Sequence, residues 1–320
     1  MNHRNLGPKL YGTFSSDKVG IGSVEEYIIG HTLTPEESAD PVIMKAIAKQ
    51  LAKVHAIKGL PLKLNSLEEN FIQVEKFGQI YVKIKDHFLN HPKIKSADEE
   101  VKKLFEEFDI LKEKHWLEGV IKDSIKNATC RINFGLMDLN FLNLIIRDEP
   151  KSESEKLESQ SYESQSYESL NYGSQSYESQ SYESRIVFID YDAAQYSLWG
   201  MDFASHFFGR IVDGRIEGKI IPGAKLPSRA EKVAFFKHYQ AEIKRLNVFE
   251  DFDENGVDSV DNLLKETLIG TLQQLIFFLG MSFTQYEAFL RDEDNFYPLI
   301  IFNLKKFHEL KSELISSIKD

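Results

Sequence analysis

The chain has 320 residues, of which 42% are hydrophobic and 28% are charged, and its formal net charge at pH 7 is −11. This composition predicts a globular protein of one large or two small domains, and the acidic charge argues against a general nucleic-acid partner. The N-terminus lacks the pattern of a signal sequence, and no apolar run reaches the roughly 18 residues of a membrane span. A single cysteine, Cys130, excludes an internal disulfide framework. Together these observations predict a cytoplasmic protein.

The predicted elements begin with two short strands, at 9–14 and 23–29, where aliphatic and aromatic residues cluster on either side of a turn. A helix follows. Asp40 and Pro41 supply an N-cap and a first-turn proline, and apolar residues then recur at helical spacing as far as His55.

A low-complexity tract interrupts the chain from Gln160 to Ser184, with a five-residue repeat of the form QSYES. Together with the charged residues before it, the tract lacks the aliphatic side chains that would offset the entropy of ordering the chain. We therefore expect a disordered insertion at about 150–184, and a period of five is too short for a solenoid unit.

Short aliphatic runs flank this tract, one ending at Arg147 and the other beginning at Ile186. If they pair as an antiparallel hairpin with these two residues opposite each other, Asn143 lies near Asp190 at the open end. The tract then occupies the closed end, where long insertions are tolerated.

The rest of the chain is predicted to be mainly helical, with helices at Ser228–Leu246 and Asp261–Leu279. The second helix is apolar enough to be largely buried. A short β start, a helical body and an internal hairpin together define an α+β fold.

Three oxygen-bearing side chains suggest phosphoryl transfer from ATP. Asp138 precedes Asn143 by five residues, and the strand after the tract ends in Asp190. In kinase chemistry an aspartate orients the attacking hydroxyl, and an asparagine and a second aspartate bind Mg²⁺.

A purely structural interpretation stays open, because aspartate often caps turns and ends strands. It is supported by Leu136, which stands where many such kinases have a histidine two residues before the catalytic aspartate.

The chain resembles ethanolamine and choline kinases, small-molecule relatives of the protein-kinase fold, and is most similar to the ethanolamine branch. The segment after the second short strand resembles the helix that follows the hinge between lobes. The resemblance is carried by Leu6–Phe14, Glu25–Gly30, Asp40–Ile57, Phe188–Asp192 and His206-Phe207.

This resemblance implies a protein-kinase-like fold in two parts. Residues 1–30 would hold the last strands of the N-lobe and the hinge, and residues 31–320 a helical C-lobe with the catalytic hairpin. The Gly-rich loop and strand lysine that precede the hinge in the family are expected to be absent. Without them the ATP phosphates would lose a backbone cradle and a cationic partner.

The resemblance also implies roles for individual residues. Asp138 would be the catalytic aspartate, and Asn143 and Asp190 would be the Mg²⁺ ligands. The hinge residues Glu26, Tyr27 and Ile28 would lie at the adenine edge of ATP. The acidic residues Asp192 and Asp202 would belong to the substrate pocket.

The substrate pocket departs from the family at two positions. Phe278 and Met281 stand where the family has two tryptophans, which weakens a cation–π cage for choline more than a site for ethanolamine. A primary ammonium can instead donate hydrogen bonds to carboxylates such as Asp192 or Asp202.

The main hypothesis is therefore an ethanolamine kinase acting in phosphatidylethanolamine biosynthesis, with ATP and Mg²⁺ as cofactors. Choline kinase is the alternative within the class. A catalytically silent truncated form, acting by pairing with a full-length kinase subunit or as a homodimer, is the alternative outside it. Aminoglycoside-type phosphotransfer on the same fold is a third possibility.

Overall fold

The computed structural model describes residues 6–18, 20–60, 67–148, 182–213, 219–221, 225–284 and 293–319. Most of the predicted disordered insertion, 149–181, lies outside these residues.

Three strands open the described chain, a run of helices separates them from the central strands, and helices fill the last third. The strands are β1 (Leu10–Ser16), β2 (Gly20–Glu25), β3 (Gly30–Thr32), β4 (Ile132–Gly135), β5 (Leu144–Arg147), β6 (Ile186–Phe188), β7 (Gln195–Leu198), β8 (Val212–Asp213) and β9 (Lys219–Ile220). The helices are α1 (Pro41–His55), α2 (Leu67–Leu89), α3 (Pro92–Ser96), α4 (Glu99–Glu107), α5 (Ile110–Lys126), α6 (Trp199–Gly209), α7 (Arg229–Leu246), α8 (Val260–Thr284) and α9 (Glu293–Lys319).

The first two strands form the predicted antiparallel hairpin, with Leu10 opposite Glu25 and Ser16 opposite Gly20. The turn between them is tighter than predicted. Gly20 has a φ of 80°, a left-handed conformation that glycine adopts without a steric penalty. Both faces of this hairpin are mostly exposed.

The strands that flank the tract pair as predicted, in a three-stranded antiparallel sheet of order β3-β5-β6. The register differs from the prediction by one residue, because Ile146 rather than Arg147 lies opposite Ile186. The observed register also pairs Leu144 with Phe188 and so keeps buried side chains on one face, whereas a one-residue slip would break these pairs.

The last residues of the predicted insertion are ordered in the structure. Residues 182–185 form one helical turn, and Glu183 contacts Lys49 and Gln50 of α1. Arg185 then donates from Nε to the backbone oxygen of Arg147, 2.7 Å away, at the point where β5 ends.

Side-chain caps define where the predicted helices begin. The carboxylate of Asp40 accepts hydrogen bonds from the backbone N–H groups of Val42 and Ile43 at the start of α1. At the start of α7, Ser228 and Glu231 form a complete capping box.

Helix α8 extends further than predicted, to Thr284, and it is the most apolar long helix of the described chain. By length and composition it could cross a membrane, but 72% of its most apolar 18-residue stretch is buried inside the protein. The prediction of a largely buried helix is therefore confirmed.

Two hydrophobic clusters meet at α6. The first packs α1, α7 and the central strands around Trp199 and Phe203, and the second packs α2, α5, α8 and α9 around Met201 and Phe208. All four of these side chains belong to α6, so this helix is shared by both clusters.

Helices α6 and α8 approach each other closely at two glycines, Gly200 and Gly270. A Cβ atom on either residue would overlap backbone atoms of the opposite helix. Glycine is required here for close packing rather than for a special φ angle, and the crossing places α8 beside the loop that follows β4.

Candidate active site

The loop after β4 is held by one buried carboxylate. Asp202 of α6 accepts hydrogen bonds from the backbone N–H of Leu136 at 2.8 Å and of Met137 at 2.6 Å. Gly135 allows this approach, because a Cβ there would lie only 2.8 Å from Asp202 Oδ2. Met137 adopts a φ of 67°, and the loop thereby turns Asp138 out of the core toward solvent.

The side chains of His55 and Tyr239 support Asp202. His55 Nε2 lies 3.0 Å from Asp202 Oδ2, and His55 Nδ1 lies 2.7 Å from the hydroxyl of Tyr239. Burial raises the pKa of Tyr239 well above its usual value, so the phenol stays protonated and can donate to Nδ1. His55 then donates from Nε2 to Asp202.

Two asparagine amides fix the carboxylate of Asp138. Asn140 donates to Oδ1 at 2.8 Å, and Asn143 donates to Oδ2 at 3.0 Å and to the backbone oxygen of Asp138 at 2.9 Å. Asp138 is exposed, so its carboxylate is oriented but open to a bound molecule. This arrangement suits a group that accepts the proton of an attacking hydroxyl.

The hairpin brings Asn143 and Asp190 to the same end of the sheet. Ile189 donates from its backbone N to the backbone oxygen of Asn143 at 3.0 Å, and Asp190 is the next residue. Asp190 has a φ of 57°, a left-handed conformation that aspartate tolerates better than most residues.

These two side chains fit Mg²⁺ in chemical type. The amide nitrogen of Asn143 is engaged by Asp138, so its Oδ1 remains as an acceptor, and Asp190 supplies a carboxylate at the same end of the sheet. Magnesium sites in phosphotransferases often use only one or two protein oxygens and complete the shell with phosphates and water. Within the described residues no group of three or more His, Cys, Asp or Glu side chains could hold a metal ion.

The predicted hinge residues differ in environment. Glu26 forms a two-point ion pair with Arg147, at 2.6 and 2.9 Å, and this hydrogen-bonded partner lowers the pKa of the Glu26 carboxyl to about 2. Tyr27 is 88% exposed, whereas Ile28 is buried. The backbone groups of Tyr27 and Ile28 make no hydrogen bond to another described residue, so this edge is open to a ligand.

A cavity of about 530 Å³ opens beside Asp138, between α6 and α8. Its walls are mainly apolar and aromatic, with several amide side chains. Phe278 and Met281, predicted to replace the tryptophans of the family, both contribute to it. The described lining residues are Val74, Met137, Asp138, Asn140, Ala193, Gln195, Met201, Ser205, Phe208, Gly209, Gln273, Gln274, Phe277, Phe278 and Met281.

The two acidic residues predicted for the substrate pocket do not line this cavity. Asp202 is 1% exposed and both of its oxygens bind protein groups, so it positions the Asp138 loop instead. It lies in the first turn of α6, which begins at Trp199. Asp192 is exposed, and its backbone N lies 3.5 Å from Asp190 Oδ1.

Other residues of the site were not predicted from the sequence. Asn140 and the pair Gln273 and Gln274 lie in the cavity wall, and His55 supports the loop. The glutamine pair had a visible signal, because two adjacent amides interrupt an otherwise apolar helical run. His55 carried no such signal, since its contacts are made 147 and 184 residues away in sequence.

Comparison with protein-family models decides the family. The model described as choline/ethanolamine kinase matches residues 1–296. The chain belongs to the choline/ethanolamine kinase family. The resemblance inferred from the sequence motifs is thus confirmed.

Among curated members of the choline/ethanolamine kinase family, the chain is similar to the choline/ethanolamine kinases of rat and human. It is 23% identical to the rat protein over 258 residues, covering 78% of this chain and 52% of the relative. It is also 23% identical to the human protein, over 248 residues, covering 76% and 49%. The chain therefore spans about half the length of the curated relatives it matches.

Solved structures of the same family confirm the protein-kinase-like fold. A choline kinase from Cryptosporidium parvum Iowa II superposes with a TM-score of 0.61 at 18% identity, covering 99% of this chain and 76% of that one. An ethanolamine kinase from Plasmodium vivax superposes with a TM-score of 0.55 at 16% identity, covering 97% and 70%.

Proposed function

We propose that the protein transfers the γ-phosphoryl group of ATP to the hydroxyl oxygen of ethanolamine, giving ADP and phosphoethanolamine. The observation that carries this proposal is the carboxylate of Asp138, which Asn140 and Asn143 orient at the wall of a cavity large enough for a small amino alcohol. Family membership supports the same class of reaction.

Each part of the site has a role in this reaction. Asp138 orients the hydroxyl and accepts its proton as the oxygen attacks the γ-phosphorus, while the bond from that phosphorus to the bridging oxygen of ADP breaks. Asn143 and Asp190 would hold Mg²⁺, which neutralises phosphate charge when bound. The open backbone of Tyr27 and Ile28 would recognise the adenine.

The lining of the cavity favours ethanolamine over choline. Its described aromatic residues are phenylalanines, which are weaker cation–π partners than tryptophan or tyrosine. Its polar residues are mostly amides, whose oxygens can accept N–H bonds that a primary ammonium offers and a quaternary one does not. With this substrate, we propose a cytoplasmic role in phosphatidylethanolamine biosynthesis, for which phosphoethanolamine would be the product supplied.

The decisive experiment measures MgATP-dependent phosphorylation of ethanolamine, choline and an aminoglycoside by the protein and by its Asp138→Asn variant. We expect ethanolamine to be the preferred substrate. We also expect the variant to lose about 10²–10⁴-fold in kcat, because general-base contributions have this size. Asn keeps the shape and polarity of the side chain, so folding should be retained.

Equal turnover by both proteins would contradict the assignment of Asp138. Absence of turnover with ethanolamine, choline and the aminoglycoside in the parent protein would contradict kinase activity for this chain. That result would favour the alternative in which the chain acts through binding. Leu136, two residues before Asp138, is the residue that supports this alternative.

A further inference from the structure

Two adjacent glutamines of α8, Gln273 and Gln274, line the cavity. Gln273 is 6% exposed and Gln274 is 8% exposed, and neither carboxamide forms a hydrogen bond within the described part of the chain. The oxygen Oε1 of Gln274 is fully buried. Buried polar groups in folded proteins are nearly always paired, so the unpaired Oε1 of Gln274, next to a second unbonded carboxamide on the same cavity, indicates a ligand that pairs with them.

The surroundings of these amides specify the charge of that ligand. Asp138 is the only charged residue among the described lining residues, and it is negative. The rings of Phe208 and Phe278 stack with centroids 6.0 Å apart and form part of an apolar wall, whose aromatic faces are weakly negative. A cation of small size therefore fits the cavity better than an anion.

The amides also specify that the cation carries hydrogen-bond donors. A carboxamide oxygen accepts two hydrogen bonds, and a glutamine with no other partner can rotate its amide to present that oxygen. A primary ammonium has three N–H donors, and each methyl group on the nitrogen removes one of them. A trimethylammonium would bury the amide oxygens against methyl groups and leave them unpaired.

We propose that Gln273 and Gln274 accept hydrogen bonds from the ammonium group of the amino alcohol and select a primary amine over a quaternary one. This proposal rests on the proposed function, since it concerns the same cavity. It replaces the carboxylates Asp192 and Asp202 as the partners of the ammonium group.

The kinetic test compares ethanolamine with its N-methyl, N,N-dimethyl and N,N,N-trimethyl derivatives in the protein and in Gln273→Leu and Gln274→Leu variants. For the parent protein, kcat/KM should fall at each methylation. In the leucine variants, we expect the KM for ethanolamine to rise about ten-fold, with kcat within about two-fold, because a hydrogen bond to a charged group is lost. The KM for choline should stay within about two-fold.

Matched controls separate binding from folding. Gln79→Leu makes the same change on the exposed surface of α2 and should leave all four substrates unaffected. Gln274→Glu keeps an acceptor of the same shape and should retain the ethanolamine binding that Gln274→Leu loses. The leucine variants should unfold at or above the temperature of the parent protein, because a buried unpaired amide is removed.

A binding measurement distinguishes failure of this proposal from failure of the proposed function. Calorimetric titration of ethanolamine and choline in the presence of MgADP needs no turnover. Weaker ethanolamine binding in the leucine variants supports the role of the glutamines even if no kinase activity is found. Equal effects on ethanolamine and choline, unchanged ethanolamine binding, or no ethanolamine binding by the parent protein would each overturn it.

Discussion

At the scale of single residues, Asp202 explains why the loop that presents Asp138 has one conformation. Its carboxylate receives two backbone N–H groups and the imidazole of His55, all in a buried environment. Asp202 is almost fully buried, so solvent does not compete for these hydrogen bonds. The loop therefore depends on one side chain for its backbone hydrogen bonds.

We expect Asp202→Ala to lower the free energy of unfolding by about 3–5 kcal/mol, because it leaves buried donors without an acceptor. Urea unfolding measures this change. Asp192→Ala is the matched control, and since Asp192 is exposed it should change stability by less than about 0.5 kcal/mol. Equal losses in the two variants would contradict the positioning role of Asp202.

Residue roles were predictable from the sequence only where chemistry and spacing coincide. The spacing of Asp138 and Asn143, with an aspartate after the next strand, predicted which side chains the hairpin brings together. The roles of Asp202 and Gln274 depend on where α6 and α8 pack against the loop. No local pattern encodes that packing, so only the structure assigns them.

At the scale of secondary-structure elements, the crossing of α6 and α8 sets the width of the cavity. Gly200 and Gly270 let the two backbones touch, and the cavity opens further along the same pair of helices. Side chains larger than hydrogen at the crossing would force the helices apart and displace Phe278 relative to Phe208.

We expect Gly270→Ala to destabilise the protein by about 1–3 kcal/mol through overpacking. Gly119→Ala is the control, since Gly119 is an exposed helical glycine of α5 with open space around its Cβ position. That change should stabilise by about 0.5–1 kcal/mol, because alanine has the higher helix propensity. Thermal unfolding of both variants measures these changes in stability. A Gly270→Ala protein more stable than the parent would contradict the close crossing of α6 and α8.

Element boundaries were predictable where the sequence carries a start or stop signal. The N-cap at Asp40 placed the beginning of α1 correctly, and the predicted segment Ser228–Leu246 begins at the residue that caps α7 in the structure. The end of α8 was placed too early, since an apolar run has no stop signal of its own. The hairpin register was wrong by one residue, because it follows from which side chains share the buried face.

At the scale of the whole molecule, the two hydrophobic clusters cannot unfold independently if α6 belongs to both. Phe203 packs in the first cluster and Phe208 in the second, and both are at most 2% exposed. Loss of α6 from either cluster would expose large aromatic surfaces on both sides. The cavity lies at this shared boundary, so its shape depends on both clusters.

The two tryptophans allow this coupling to be measured. Trp199 lies in the first cluster and Trp116 packs at the edge of the second. In a Trp116→Phe variant, the remaining fluorescence reports on the first cluster, while far-ultraviolet circular dichroism reports on all helices. We expect the two urea transitions to coincide, as in a two-state protein. Separate midpoints would show that the clusters unfold independently.

The contact between Glu183 and α1 would be kept in variants of the protein that differ in the number of QSYES repeats. The docked Tyr182-Glu183-Ser184 is the last of several identical triplets, and earlier copies begin at Tyr162, Tyr167 and Tyr177. An insertion or deletion of one upstream five-residue unit leaves the docked copy unchanged. It alters the connection by five residues, and the closure cost by only about 0.1 kcal/mol. Alleles with different repeat numbers should therefore share the same pairing of β5 with β6.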